Sequence, residues 1–92
     1  MSLEALEALR TRFRERAIED LSTIETWIAE GYPVSETIER TIHNLAGAAG
    51  TFGFADLHAA AAKVDDCLCT GAAVGPEDSA YLIKALQALR HR

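Results

Sequence analysis

The sequence predicts an all-α protein, an antiparallel up-down-up-down four-helix bundle with a long first helix. Helix-favouring residues dominate the 92-residue chain, with seventeen Ala and ten Leu against only three Val, which favours strands. Apolar residues recur at steps of three or four along four segments, separated by Gly- or Pro-containing breaks at residues 31–33, 50–53 and 71–76. A chain of this length suffices for one domain, so we expect residues 1–92 to form a single domain.

The first segment, about residues 2–30, is the longest. At ~1.5 Å per residue it predicts a helix of ~40 Å, which the other segments cannot match in length. We therefore expect it to overhang the bundle or to bend. Its apolar stripe is formed by Leu3, Leu6, Phe13, Ala17, Leu21, Ile24 and Ile28.

The second segment follows Ser35, whose hydroxyl suits a helix N-cap, and ends at about Gly50. The third segment runs from about Phe54 to Thr70. Each carries one apolar stripe at helical spacing. The stripe of the second segment is Ile38, Ile42, Leu45 and Ala49, and that of the third is Leu57, Ala61, Val64 and Leu68.

The fourth segment opens with Pro76, which suits the first position of a helix. Its stripe is Leu82, Leu86 and Leu89, widened by Tyr81, Ile83 and Ala85. Among the aromatic residues, we expect Phe13 and Trp27 in the core. Phe52 and Phe54 flank the Gly53 turn and are expected to close one end of the bundle.

The charge pattern argues against nucleic acid as a partner. The net charge is −5 at pH 7, whereas phosphate contacts need clustered Lys and Arg. The first segment has four arginines, but their spacing of two residues spreads them around the helix and acidic residues lie among and beside them, which is typical of a solvated helix face. The arginines are Arg10, Arg12, Arg14 and Arg16, and the acidic residues are Glu4, Glu7, Glu15, Glu19 and Asp20. The chain has no apolar window of about 18 residues that could span a membrane. Its start lacks the order of a signal peptide, so we expect a cytoplasmic protein.

Cys67 and Cys69 are the only cysteines. Residues two positions apart on a helix point in different directions, so we expect both thiols to be unpaired. Their spacing, with three scattered histidines, matches no zinc motif. Glu36, Glu39 and His43 share one helix face, but ligands in helical bundles point inward and these point outward. We therefore predict no metal site.

The second helix carries an unusual histidine. With ~100° per residue, His43 lies ~140° from the centre of the apolar stripe and is predicted to face solvent. Gly47 lies ~180° and Gly50 ~120° from that centre, in the same outward half. An exposed glycine inside a helix costs ~1 kcal/mol relative to alanine. Helix termination explains Gly50 but not Gly47, which leaves either an incidental surface glycine or clearance for a partner approaching His43.

These residues resemble the signature of histidine-containing phosphotransfer (HPt) domains of bacterial multistep phosphorelays. The resemblance is carried by the segment TIHNLAGAAGTFGFADLHAAAAKVDD, residues 41–66. His43 matches the phosphorylated histidine, Leu45 the hydrophobic position two residues on, and Gly47 the glycine four residues on. The later small and apolar positions of the family are matched by Gly50, Gly53 and Leu57.

The resemblance implies a phosphoryl carrier. His43 would accept a phosphoryl group from an aspartate of a response-regulator receiver domain or hybrid histidine kinase and pass it to another receiver. It implies no cofactor of its own, with Mg²⁺ expected only on the receiver partner, and we expect a monomer. The surface expected to meet the phosphoryl group and the partner comprises Glu39, Arg40, Ala46, Gly47 and Gly50.

This chain departs from the family pattern at one position that bears on chemistry. The family usually has a lysine three residues after the histidine, where this chain has Ala46. A second position, on the next helix, is commonly polar in the family and aligns near Asp65 in this chain. The carboxylate of Asp65 would repel a phosphoryl group on His43 if it pointed toward that group. Arg40 is the only cation within one helical turn of His43, and we expect it to substitute in part for the lysine.

A second hypothesis is a helical interaction module, a degenerate HPt domain that docks a partner on the same surface without carrying phosphate. We expect no functional role for the other two histidines. His58 is predicted to face outward on the third helix, and His91 lies in the C-terminal tail, where cations are favoured at a helix end.

Overall fold

The structure, a computed structural model, describes residues 2–91 and contains four α-helices. They are α1 (Leu3–Ala29), α2 (Glu36–Thr51), α3 (Ala55–Thr70) and α4 (Pro76–Ala88), followed by a 3₁₀ turn, Leu89–His91. No strand occurs within residues 2–91. The all-α prediction is confirmed, and each predicted segment agrees with an observed helix to within about two residues. Met1, Arg92 and the side chain of His91 lie outside the described residues.

The helix ends follow from local sequence. The hydroxyl of Ser2 accepts a hydrogen bond from the backbone N–H of Ala5, and that of Ser35 accepts one from Ile38, both at 3.1 Å. These are the N-caps of α1 and α2. Helix α3 ends at Gly71, whose φ of 75° lies in the left-handed region that glycine adopts without strain. Helix α4 begins at Pro76. Proline is favoured at the first helical position because the N–H that it lacks would have no partner within the helix.

The helices form a closed ring in which each packs against its neighbours in the chain and α1 packs against α4. The connections, residues 30–35, 52–54 and 71–75, are short, so successive helices run antiparallel. The closest pair is α2 and α3. Alanines lie buried on both helices of this pair, Ala46 and Ala49 on α2 and Ala60 and Ala61 on α3, and their small side chains allow the close approach.

The core follows the predicted stripes. Its largest fully buried side chains are Leu21, Ile24, Ile42, Val64, Leu82 and Leu86. Phe13 and Trp27 are buried, as expected. The ring of Phe13 lies 5.7 Å from that of Phe52 and 5.2 Å from that of Phe54, measured between centroids. These three rings confirm the predicted closure of one end of the bundle.

Three residues assigned to apolar stripes are exposed to solvent. Leu3 is 75% exposed and Leu6 is also exposed, because α1 extends past the helices it packs against. The 27 residues of α1 span ~40 Å, against ~24 Å for the 16 residues of α2. Burial of the α1 stripe therefore begins only at Phe13. Tyr81 is the third exception and is half exposed on α4.

Among the described helices, none is both long enough and apolar enough to cross a bilayer. Cys67 and Cys69 are both free thiols, which confirms that they are unpaired.

The α1 stripe offers a matched test of where the core begins. Leu21→Ala removes a fully buried side chain and is expected to lower the free energy of unfolding by ~2–5 kcal/mol. Leu3→Ala makes the same chemical change on the exposed end of the same helix and is expected to shift it by less than ~0.5 kcal/mol. Urea unfolding followed by circular dichroism compares the two. Comparable losses in both variants would show that the overhanging turns are packed.

Candidate functional site

His43 lies in the middle of α2 with 72% of its side chain exposed. Its neighbours Ile42 and Leu45 are buried, so the imidazole leaves the helix on the side away from the α2 stripe. The outward placement predicted from the helical wheel is confirmed. The imidazole does not stand alone, however, because its Nδ1 lies 3.1 Å from Oδ2 of Asp65 on α3.

This contact selects the tautomer of the neutral ring. A carboxylate only accepts hydrogen bonds, so Nδ1 of His43 must be the donor to Asp65. In the neutral imidazole the lone pair then lies on the other nitrogen, Nε2. No described residue forms a hydrogen bond with Nε2. The site therefore presents one engaged nitrogen and one nitrogen whose lone pair is available to an incoming group.

His43 opens onto a shallow groove of about 290 Å³ between α2 and α3. The groove is lined by Glu36, Glu39, Arg40, His43, Asp65, Leu68 and Cys69. Three of these side chains are carboxylates and one is a cation. Glu39 lies one turn before His43 and is exposed. Negative charge therefore dominates the immediate surroundings of the imidazole.

Arg40 lies in the groove, but its guanidinium is already paired. Its Nη2 is 2.8 Å from Oε1 of Glu36, one turn earlier on α2, and both side chains are largely exposed. The sequence predicts that Arg40 substitutes in part for the lysine usual in the family and stabilises a phosphoryl group on His43. In the structure its guanidinium pairs with Glu36 instead, so the groove holds no cation directed at the imidazole among its described side chains.

The pKa of Cys69 responds to the same negative charge. Its Sγ lies 3.9 Å from Oδ1 of Asp65. The pKa of the Cys69 thiol is raised, chiefly by the charge of Asp65 and further by desolvation and the charges of Asp66 and Glu39. Cys69 is therefore a protonated thiol rather than a reactive thiolate at neutral pH.

Gly47 lies one turn after His43 and faces open space. A Cβ built on it would meet nothing within 4 Å beyond its own helix. The glycine is therefore not required by packing against another helix. Next to His43 it leaves a bare stretch of helix surface, which fits the clearance interpretation of the sequence.

Gly50 has a different role from the one expected. A Cβ at this position would lie 2.9 Å from Nδ1 of His58 on α3, so the residue makes room for that imidazole. Helix α2 continues through Thr51, so Gly50 does not terminate it. The Nδ1 atom of His58 lies 2.7 Å from the carbonyl oxygen of Ala46, and because a carbonyl only accepts, His58 donates. His58 is exposed on α3, as predicted, and this hydrogen bond also connects α3 to α2.

Ala46 does not belong to the exposed surface to which the sequence assigned it. Its side chain is 6% exposed, because on α2 it lies beside the buried Ile42 and Ala49 and faces α3. The other predicted surface residues, Glu39, Arg40, Gly47 and Gly50, are exposed. Nothing in the sequence alone marked the contact between His58 and Ala46, since it depends on how the two helices pack.

Among the side chains that the structure describes, no group of three or more His, Cys, Asp and Glu residues is arranged to hold a metal ion. The absence of a metal site and of a cofactor stays a prediction.

The family model described as the Hpt domain matches residues 8–92. None of the curated proteins and none of the solved structures matches the chain.

The two glycines of α2 are expected to respond differently to alanine. Gly47→Ala should raise the free energy of unfolding by up to ~1 kcal/mol, because alanine is the better helix former and the new methyl meets open space. Gly50→Ala should show no such gain, because its methyl displaces His58 and breaks the hydrogen bond to Ala46. Urea unfolding of both variants measures this. A large loss of stability in Gly47→Ala would contradict the exposed placement of this helix face.

Cys69 provides a probe of the charge on Asp65. Because Asp65 is the main cause of the raised pKa, Asp65→Asn should move the Cys69 pKa down and increase the thiolate fraction at a given pH. In a Cys67→Ser background, iodoacetamide at mildly alkaline pH should then modify Cys69 several times faster. Asp56→Asn, in the first turn of α3, serves as the control and should leave the rate unchanged. Equal rates in all three proteins would mean that Asp65 carries no charge beside the thiol.

Proposed function

The chain belongs to the Hpt domain family, whose members interact with receiver domains and kinases in phosphorelays, and we propose that it is a phosphoryl carrier acting through His43. Nε2 of His43 accepts a phosphoryl group from the aspartate of a receiver domain and passes it to the aspartate of another. The observation that carries the proposal is an exposed imidazole with Nδ1 engaged by Asp65 and with no described partner on Nε2.

Access to Nε2 supports this role. Transfer between two proteins requires the receiver's phosphorylated carboxyl group to approach in line with the nitrogen lone pair. A large side chain next to His43 would obstruct this approach. Gly47 keeps the helix surface bare one turn after His43, and nothing lies within 4 Å of where its Cβ would be.

The proposal divides the chemistry between the two proteins. His43 supplies a positioned nucleophile, and the receiver supplies Mg²⁺ and the charged pocket around its aspartate. This division fits a groove whose charge is mainly negative, because a pocket that stabilises the transferring phosphoryl group needs cations. We therefore assign no Mg²⁺ to this chain.

Arg40 is a cation of the groove that can leave its present ion pair. Its ion pair with Glu36 joins two exposed side chains and is worth ~1 kcal/mol or less. A phosphoryl group on His43, one turn away, offers the guanidinium a more highly charged partner. We propose that the guanidinium of Arg40 partly leaves Glu36 and pairs with the phosphoryl group. Arg40 would then take over part of the role of the lysine that the family usually has at the position of Ala46.

The interaction module remains the second candidate, and one observation favours it. The usual lysine position holds the buried Ala46, and Arg40 is paired with Glu36, so the described groove offers the phosphoryl group no free cation. A domain that only docks a partner would need the exposed surface around Gly47 but not the nitrogen of His43.

Phosphorylation of the chain separates the two candidates. Incubation with a phosphorylated receiver domain and Mg²⁺ should add one acid-labile phosphoryl group, detected by intact mass spectrometry. His43→Gln should abolish the gain because it removes the nucleophile. His58→Gln is the matched control and should retain it, because His43 stays in place and the glutamine amide can still donate to the carbonyl of Ala46.

A carrier is contradicted if several phosphorylated receivers add nothing to the wild-type chain, or if His43→Gln gains the phosphoryl group as readily as wild type. Binding of a receiver without transfer would instead support the interaction module.

A further inference from the structure

The first turns of α1 carry an apolar helix face that no other described helix covers. Leu3 is 75% exposed and Leu6 is 38% exposed, and both continue the stripe that is buried from Phe13 onward. These turns lie at the end of the bundle that Phe13, Phe52 and Phe54 close, which we call the aromatic end. Residues 3–10, which we call the overhang, extend α1 by ~12 Å at this end.

A groove with an apolar floor lies at the same end, on the face of the bundle formed by α3 and α4. It has a volume of about 480 Å³ and runs between the first turn of α3 and the last two turns of α4. Phe54, Leu57 and Leu89 line it and are buried, and Tyr81 on its rim is 49% exposed. Most of the large apolar side chains that the structure describes as exposed therefore belong to the overhang or to this groove.

Charged residues border both surfaces. The groove has Lys84 on its α4 side and Asp56 on its α3 side, both exposed, and neither forms an ion pair within the described residues. Arg12 lies one turn before Arg16, which faces α2, so Arg12 borders the α2 side of α1. Glu7 lies ~180° around the helix from Arg16 and borders the α4 side.

We propose that the chain forms a two-fold symmetric dimer in which the overhang of each copy packs into the α3–α4 groove of the other. The aromatic ends face each other across a two-fold axis perpendicular to the bundles. The proposal replaces the monomer expected from the sequence. It is independent of the proposed function, because His43 opens onto the groove between α2 and α3 and stays accessible in both copies.

This symmetry brings surfaces of matching length and direction together. The stripe of α1 faces its own core, so Leu3 and Leu6 face the second bundle when the two bundles stack end to end. The overhang measures ~12 Å, as does the part of α4 from Tyr81 to Leu89 that lines the groove. A two-fold dimer makes this contact twice and then closes, so it adds no further copies.

The charged borders then meet with opposite sign. The α4 side of α1 faces α4 of the second copy, which brings Glu7 to Lys84, and the α2 side faces α3, which brings Arg12 to Asp56. Asp56 lies in the first turn of α3 and Lys84 about one turn farther from the aromatic end, which matches the spacing of Arg12 and Glu7 along the overhang. Glu7 lies 3.7 Å from Arg10 of its own helix, and its carboxylate can accept from both cations.

Sedimentation equilibrium of the full chain, from about 10 µM to about 1 mM, measures the association. An interface at or below the ~1,200 Å² of stable complexes binds weakly, so we expect a dissociation constant of roughly 10–300 µM. The mass should rise from that of one chain toward that of two. Urea unfolding at low micromolar concentration then concerns the monomer. The mass of a single chain at the highest concentration overturns the proposal.

The double variant Leu3→Ser, Leu6→Ser removes the apolar face of the overhang. It should raise the dissociation constant at least about tenfold, with circular dichroism unchanged because both side chains are exposed. Val34→Ser is the matched control, because it removes a side chain that is 72% exposed at the opposite end of the bundle. It should dimerise like wild type. A dimer that survives the double variant, or is lost in Val34→Ser, overturns the proposal.

Charge reversal tests the pairing of Glu7 with Lys84. Lys84→Glu places two carboxylates side by side and should raise the dissociation constant about threefold to tenfold, and Glu7→Lys in the same chain should restore it. Lys63→Glu makes the same change in charge at an exposed position of α3 outside the groove and should have no effect. Equal effects of the two lysine variants, or no recovery in the double variant, contradict the pairing and with it the dimer.

Isotope-filtered NMR on a mixture of labelled and unlabelled chains locates the contact. The methyl groups of Leu3 and Leu6 should show intermolecular contacts to the ring of Tyr81. Intermolecular contacts confined to other residues overturn the proposal. A receiver domain that shifts the amide signals of the groove and dissociates the dimer would make the groove a receiver contact instead and would also overturn it.

Discussion

The close packing of α2 against α3 is the constraint on which the site depends. Buried alanines on both helices allow the approach, and Gly50 admits the imidazole of His58, which donates to the carbonyl of Ala46. The same packing brings Asp65 of α3 within 3.1 Å of Nδ1 of His43. A larger side chain at this interface would separate the helices and with them the histidine from its carboxylate. The geometry around the His43 ring is thus a consequence of how two helices fit together.

The fold and part of the site could be predicted from the sequence, because both depend on local pattern. Helical periodicity placed four helices and turned His43 and Gly47 outward, which the structure confirms. Periodicity could not give the rotation of α3 about its axis relative to α2. The burial of Ala46, the space that Gly50 leaves for His58 and the contact of Asp65 with His43 all depend on that rotation. The length of α1 predicted an overhang, but the pattern could not show that Leu3 and Leu6 lie in it, because a pattern does not show where a partner helix stops.

Negative charge outweighs positive charge around His43 in this member of the Hpt domain family. A cation beside the histidine would hold a phosphoryl group, whereas the described groove holds three carboxylates and a single arginine already paired with one of them. The nearest carboxylate, that of Asp65, contacts the Nδ1 edge of the ring and leaves Nε2 to the open side of the groove.

The most direct measurement is the position of phosphorus on His43 after transfer from a receiver. Long-range ¹H–¹⁵N and ³¹P NMR of the ¹⁵N-labelled chain distinguishes the two ring nitrogens. We expect phosphorus on Nε2, with the proton still on Nδ1 beside Asp65. Phosphorus on Nδ1, or on a residue other than His43, would contradict the arrangement of nucleophile and carboxylate described above.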